Sequence, residues 1–151
     1  MVRTRLLVLS LSACALLPAR ARADAVGEAD VLLCAAVEVT RCAPGDGCKT
    51  SPPWDLDVPQ FIEVDVARKE LRTTEASQLN RMTPIDRVER HEGAIFLQGV
   101  ELGRAFSFVI TEDTGDATVT VAHDGFTVNV FGTCTPLTKV TGQPSAPGSS
   151  R

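Results

Sequence analysis

Residues 85–134 constrain this chain most tightly, because their last four strand-length runs alternate in period two and are separated by short connections. The runs are 94–100, 104–110, 116–122 and 126–134, and the connections before them end in Gly93, Gly103, Gly115 and Gly125. Glycine supplies the positive φ that tight hairpins demand. Asp124-Gly125 is the clearest case, a two-residue turn with type I′ preference. A loop of that length sets Val121 opposite Val128 and Val119 opposite Val130, with Thr120 facing Asn129 and Ala122 facing Thr127. The valines then share one face and the polar side chains the other, as a pleated pair requires. Turn length and hydrophobic pattern specify the same register independently.

The same period extends toward the N-terminus. Residues 31–40 read as a strand ending in the alternation Val37-Glu38-Val39-Thr40, although the apolar run 32–36 also suits a helix. Residues 42–60 form a long loop with four prolines, two glycines and the single tryptophan, Trp54, and carry no helix or strand period. Ile62, Val64 and Val66 alternate with Glu63 and Asp65 as a half-buried strand. A short strand follows at 71–74, then a loop or single helical turn at 75–82, then a strand at 85–90 that starts after Pro84. Short successive connections make sequence neighbours pair in order. The expected fold is all-β, a small antiparallel up-and-down meander of about seven or eight strands that closes into a barrel or sandwich to remove its edges. With strands this short and only 6 Phe and 1 Trp, a filled interior is expected.

The first 23 residues read as a cleaved export signal and stand outside the fold. Arg3 and Arg5 form a basic start, residues 6–17 an apolar run, and Ala21-Arg22-Ala23 a small-residue cleavage site. The run falls well short of the roughly 20 residues needed to span a bilayer as a helix. Leu11-Ser12-Ala13-Cys14 offers a secondary reading, a lipoprotein anchored at Cys14. Cleavage after Ala23 leaves all 19 acidic residues but 11 of the 15 basic ones, a net charge of −8 against −4 for the whole chain. Such a surface repels phosphate backbones and anionic lipid heads, so neither nucleic acid binding nor membrane insertion is expected. The expected location is periplasmic or extracellular.

Cysteine usage fits that compartment, since Cys34, Cys42, Cys48 and Cys134 make an even set. Pairing Cys34 with Cys42 would bridge about 26 Å of strand. Cys42 and Cys48 flank the turn-rich Ala-Pro-Gly-Asp-Gly, which leaves Cys34 to Cys134 as the tie between first and last strands. Cys134 falls on the valine face, whereas Cys34 is out of phase with Val37 and Val39, so a bulge or irregular start is required between them. The zinc alternative lacks knuckle spacing and a following histidine.

Chemistry-bearing residues are sparse. His91 and His123 both sit at hairpin tips, where they are ordinarily solvated; a weak metal site or a hydrolase centre would need both hairpins to point the same way. Glu112-Asp113-Thr114-Gly115-Asp116 lacks the EF-hand pattern and reads as a turn. No Gly-x-Ser-x-Gly elbow or phosphate-binding glycine loop occurs. No catalytic residue and no cofactor are assigned.

Two features lean toward binding instead. The 42–60 loop exceeds usual connection lengths, and Trp54 is a residue type favoured at contact hot spots. Trp54, Asp55 and Asp46 are the candidate contact residues. The competing reading makes Trp54 a plug in the end of the barrel.

The stretch 82–136 resembles small exported bacterial proteins of unknown function, through Thr83-Pro84-Ile85, Leu97-Gln98-Gly99, Gly103-Arg104-Ala105-Phe106-Ser107, Thr114-Gly115 and Phe131-Gly132-Thr133-Cys134. The resemblance implies export and a β domain, and no activity. At fold level the meander is similar to lipocalin and avidin barrels, by analogy alone. The expected function is thus a non-catalytic binding module for a protein or small molecule, monomeric and working through the 42–60 loop. The domain is expected over 24–135, with a disordered tail over 136–151. A metal-dependent or carboxylate hydrolase at the open end and an envelope-associated structural lipoprotein are the alternatives.

Overall fold

Ten strands make a single antiparallel sheet in the computed structural model, which describes residues 26–77 and 79–137. The strands are β1 (Val31–Ala43), β2 (Gly47–Ser51), β3 (Phe61–Asp65), β4 (Glu70–Thr73), β5 (Met82–Pro84), β6 (Arg87–His91), β7 (Ala94–Glu101), β8 (Arg104–Thr111), β9 (Asp116–His123) and β10 (Phe126–Pro136). The spatial order is β5-β4-β3-β1-β10-β9-β8-β7-β6, with β2 hung on β1. The signal segment 1–23, Cys14 and residues 138–151 of the expected tail lie outside the described residues. Pro136 still belongs to β10, and the Leu137 amide donates to the Val31 carbonyl at 2.9 Å.

The sheet is barrel-like, but it does not close through a full ladder. Its edge strands β5 and β6 are consecutive in the chain and are not paired with each other. Ile85 and Asp86 carry the chain across the seam. The Ile85 amide donates to the Lys69 carbonyl at 2.8 Å on one side, and the Asp86 amide to the Gln98 carbonyl at 2.9 Å on the other. The strand expected at 85–90 is β6, which begins two residues later because Ile85 and Asp86 make the crossing, and β5 is a further short strand ahead of it that was not expected. The sandwich alternative is excluded by the single sheet, and the count is ten strands instead of seven or eight.

Register follows the valine pattern. Val121 pairs with Val128, Val119 with Val130, Thr120 with Asn129 and Ala122 with Thr127. On the polar face Thr120 Oγ1 donates to Asn129 Oδ1 at 2.9 Å. The turn conformation differs from expectation. At 124–125 only Gly125 has positive φ, whereas Glu92-Gly93 and Leu102-Gly103 are positive at both residues, as type I′ requires. Loop length alone fixes the register, so the pairing is unaffected.

Both disulfides join the expected partners, Cys34 to Cys134 and Cys42 to Cys48. The phase conflict in β1 is resolved by a bulge between Ala36 and Glu38, with Val37 turned to solvent at 68% exposure. Cys34 and Val39 can then both face inward, buried. At this point β10 approaches closely: a Cβ on Gly132 would lie 2.2 Å from the Ala35 carbonyl oxygen.

Residues 42–60 are more ordered than their composition suggests. β1 continues to Ala43 and folds back as β2, pairing Arg41 with Lys49 and Cys42 with Cys48. β2 is exposed along almost all its length, so it has no apolar face and leaves no hydrophobic period. The ladder and the short disulfide hold it instead. A 3-10 turn over Pro53–Leu56 follows, and a second one occupies Glu75–Ser77 where a helical turn was one expectation.

The core fills one end of the curled sheet. Leu32, Val64, Ile95, Leu97 and Ile110 are fully buried there, packed with Ile85, Ala117 and the Cys34–Cys134 bridge. A 3-10 turn at Val26–Glu28 closes this end by burying Val26. Arg90 clasps that turn, its Nη1 donating to the Gly27 carbonyl at 2.6 Å and to Glu112 Oε1 at 2.8 Å.

Candidate functional site in the open end of the sheet

The opposite end is not filled. Past Phe108, the inward positions are Phe106, Val119, Val121, Val128, Val130, Ile62, Leu71 and Ala36, and they surround a cavity of about 480 Å³. The expected filled interior is corrected here. Four of these walls are valines and one is alanine, so neighbouring strands cannot reach across the sheet with side chains of that size. An eight-stranded barrel has an interior just wide enough to be filled by side chains or to hold one small ligand, and nine strands follow one another around this sheet.

The 42–60 segment contributes to this cavity by residues other than those singled out. Leu56, Asp57, Val58 and Pro59 line it. The segment turns inward because Asp57 takes a left-handed conformation (φ 53°) after the 3-10 turn, and the Val58 amide donates back to the Pro53 carbonyl at 3.1 Å. Pro53 is fully buried, so it anchors the turn. Trp54 is 66% exposed, which excludes it as a plug. Asp55 and Asp46 are also exposed. Asp46 lies at the far tip of the β1–β2 hairpin, with about 17 Å of strand between it and Trp54. These three residues do not form one site.

The mouth is rimmed by charge. Arg72, Arg81 and Arg104 line it together with Asp57, Glu101 and His123. Arg72 Nε donates to Glu70 Oε2 at 3.1 Å, and this partner raises the guanidinium pKa above its ordinary value. Arg81 Nη2 donates to Glu101 Oε2 at 2.9 Å, a contact that ties the start of β5 to the end of β7 across the seam. Phe126 closes the rim beside His123, whose ring stacks on it at 4.9 Å between centroids; the Arg41 guanidinium lies 4.4 Å from the same ring centre.

The two histidines are not brought together. His91 pairs with Ala94 beside the closed end, whereas His123 pairs with Phe126 at the mouth. Seven residues of β9 separate these levels, about 23 Å at strand rise. Adjacent hairpins in a meander alternate ends, and two hairpin turns, at 102–103 and 112–115, lie between these tips, which places them at opposite ends. No group of three or more His, Cys, Asp or Glu side chains able to hold a metal ion occurs among the described residues. The acidic turn at 112–116 is spent on structure: Glu112 receives Arg90, and Thr114 Oγ1 donates to Asp116 Oδ2 at 2.8 Å.

Compared with protein-family models, with curated proteins and with solved structures, the chain finds no match. No helix among the described residues is long and apolar enough to cross a membrane.

The cavity residues left one faint trace in the sequence. Small β-branched side chains at 119, 121, 128 and 130 share one face of two adjacent strands, while Leu32, Ile95, Leu97 and Ile110 of other strands fill the closed end. That asymmetry becomes visible only when the strands are curled around a common axis.

Proposed function

We propose that this protein is a non-catalytic binding module that holds one small, mostly apolar molecule in the open end of its curled sheet. The observation that carries the reading is the cavity of about 480 Å³, walled mostly by valine, isoleucine, leucine and phenylalanine side chains, with Thr73 and Thr83 also in the lining and charged side chains at the mouth. Ligand sites have this build, at about 300–1,000 Å³ with a few placed polar groups. Burying an apolar ligand there removes its surface from water at roughly 25 cal/mol per Å². The two disulfides suit an oxidising compartment, and we take the module to act outside the cytosol as a monomer.

The test uses the oxidised protein and a neutral, polarity-sensitive dye such as Nile red. Saturable one-to-one binding with a blue-shifted emission is expected. Val119→Trp, which places an indole in the cavity, abolishes that binding while the variant keeps a cooperative melt. Absence of saturable binding by the unmodified protein overturns the proposal, as does full binding by a folded Val119→Trp protein.

A further inference from the structure

The charges at the mouth are unequally satisfied. Of its three arginines, Arg72 is taken up by Glu70 and Arg81 by Glu101. Arg104 has only the same Glu101 oxygen, at 3.9 Å, and its guanidinium makes no hydrogen bond among the described residues. One carboxylate therefore serves two guanidiniums. Glu70 serves Arg72 alone, whereas Glu101 is divided between Arg81 and Arg104, so Arg104 is the arginine of the mouth with the weakest counter-charge.

Position reinforces the imbalance. Arg104 is the first residue of β8, set in place by the Leu102-Gly103 turn, in which both residues have positive φ. Phe106 and Phe108 follow it inward on the same face of the strand, so the apolar walls begin directly beneath the guanidinium. From Arg104 to Phe108 is about 13 Å at strand rise, the length available to a tail. A guanidinium presents five donors in a planar fork that matches an oxyanion bidentately.

We propose that the ligand is an amphiphile with a single oxyanion head, a carboxylate or a phosphate, bound by Arg104 at the mouth while its medium-length apolar chain enters the cavity. This rests on the cavity reading above. Arg81 and Glu101 hold the site open: Glu101 shared between two cations fixes their spacing, and the incoming oxyanion supplies the hydrogen-bond acceptor that Arg104 lacks.

Displacement of bound Nile red by decanoate, decyl phosphate and decan-1-ol separates the two proposals. For the unmodified protein, at least one anion is expected to displace the dye at about one-tenth the concentration that the alcohol requires, an advantage of about 1.4 kcal/mol. The larger of the two gains assigns the head group. Arg104→Gln is expected to remove the advantage, read as the ratio of the anion and alcohol concentrations that displace the dye from that same variant, and Arg104→Lys to restore part of it. Equal displacement by alcohol and both anions, or an anion advantage that survives in Arg104→Gln, overturns the head-group assignment and leaves the cavity reading standing. Failure of the dye itself to bind the unmodified protein overturns both.

Discussion

Cys34 stands directly opposite Cys134 in the β1–β10 ladder, their Cα atoms 4.0 Å apart. The Cys134 amide donates away from β1, to the Gly115 carbonyl at 2.7 Å, so the two cysteines form a non-hydrogen-bonded pair, the type whose side chains approach most closely. The bridge thereby joins the ends of a segment of 100 residues without distorting the ladder. It also forms part of the core wall at the closed end of the sheet.

Replacing both Cys34 and Cys134 with Ala is expected to cost about 4–5 kcal/mol, and replacing both Cys42 and Cys48, which close a loop of 6, about 2 kcal/mol. Urea unfolding of the two double variants measures the difference. Equal losses would show that chain entropy does not govern either bridge.

Gly115 combines φ +76° with a packed surrounding, where a Cβ would meet the Cys134 carbonyl oxygen at 2.1 Å. Gly115→Ala is expected to destabilise by about 1–3 kcal/mol or more, through a strained backbone and a displaced strand. Gly125→Ala keeps only the backbone strain, since nothing lies within 4 Å of its Cβ position. Its melting temperature should fall less. Equal falls would remove the packing part of the explanation.

The two ends of the sheet should respond differently to truncation. Leu97 is completely buried at the closed end, and Leu97→Ala is expected to cost about 2–5 kcal/mol. Leu102 is 79% exposed at the mouth, and Leu102→Ala should stay within about 0.5 kcal/mol. Denaturant midpoints check both, and a large loss at Leu102 would mean that the mouth is packed.

Trp54→Ala tests whether the exposed indole contributes to cavity binding. Unchanged dye affinity and a stability change within about 0.5 kcal/mol are expected, because Trp54 is not among the lining residues. A clear loss of dye affinity would return Trp54 to the ligand site.

Arg90→Ala should release the 3-10 turn at Val26–Glu28. Its ion pair with Glu112 is partly exposed, so the stability cost should be no more than about 1 kcal/mol, while amide exchange at Ala29, bonded to Val26, accelerates. Unchanged exchange there would show that Val26 burial holds the turn by itself.

Much of the architecture was legible in the chain because alternation, turn length and cysteine phase are local properties. The Val119–Val130 register needs only a count across Asp124-Gly125, and the bulge at Val37 follows from Cys34 and Val39 having to face the same way. β2 was illegible because a strand exposed along nearly its whole length carries no hydrophobic period. β5 was equally hidden: three residues ending in Pro84 are too short to show a period, and only the curvature of the whole sheet decides that they pair with β4 while β6 pairs with β7.

The candidate site belongs almost wholly to that second category. Sequence determined that Val119, Val121, Val128 and Val130 share an inward face, and that Arg104 begins a strand with Phe106 and Phe108 on its own side. Tertiary structure decided that these faces converge on unfilled space, because cavity volume depends on how strands from every part of the chain are tilted and curled around one another. It decided likewise that Glu101 is shared by Arg81 and Arg104, since this is a distance across the seam and not along the chain.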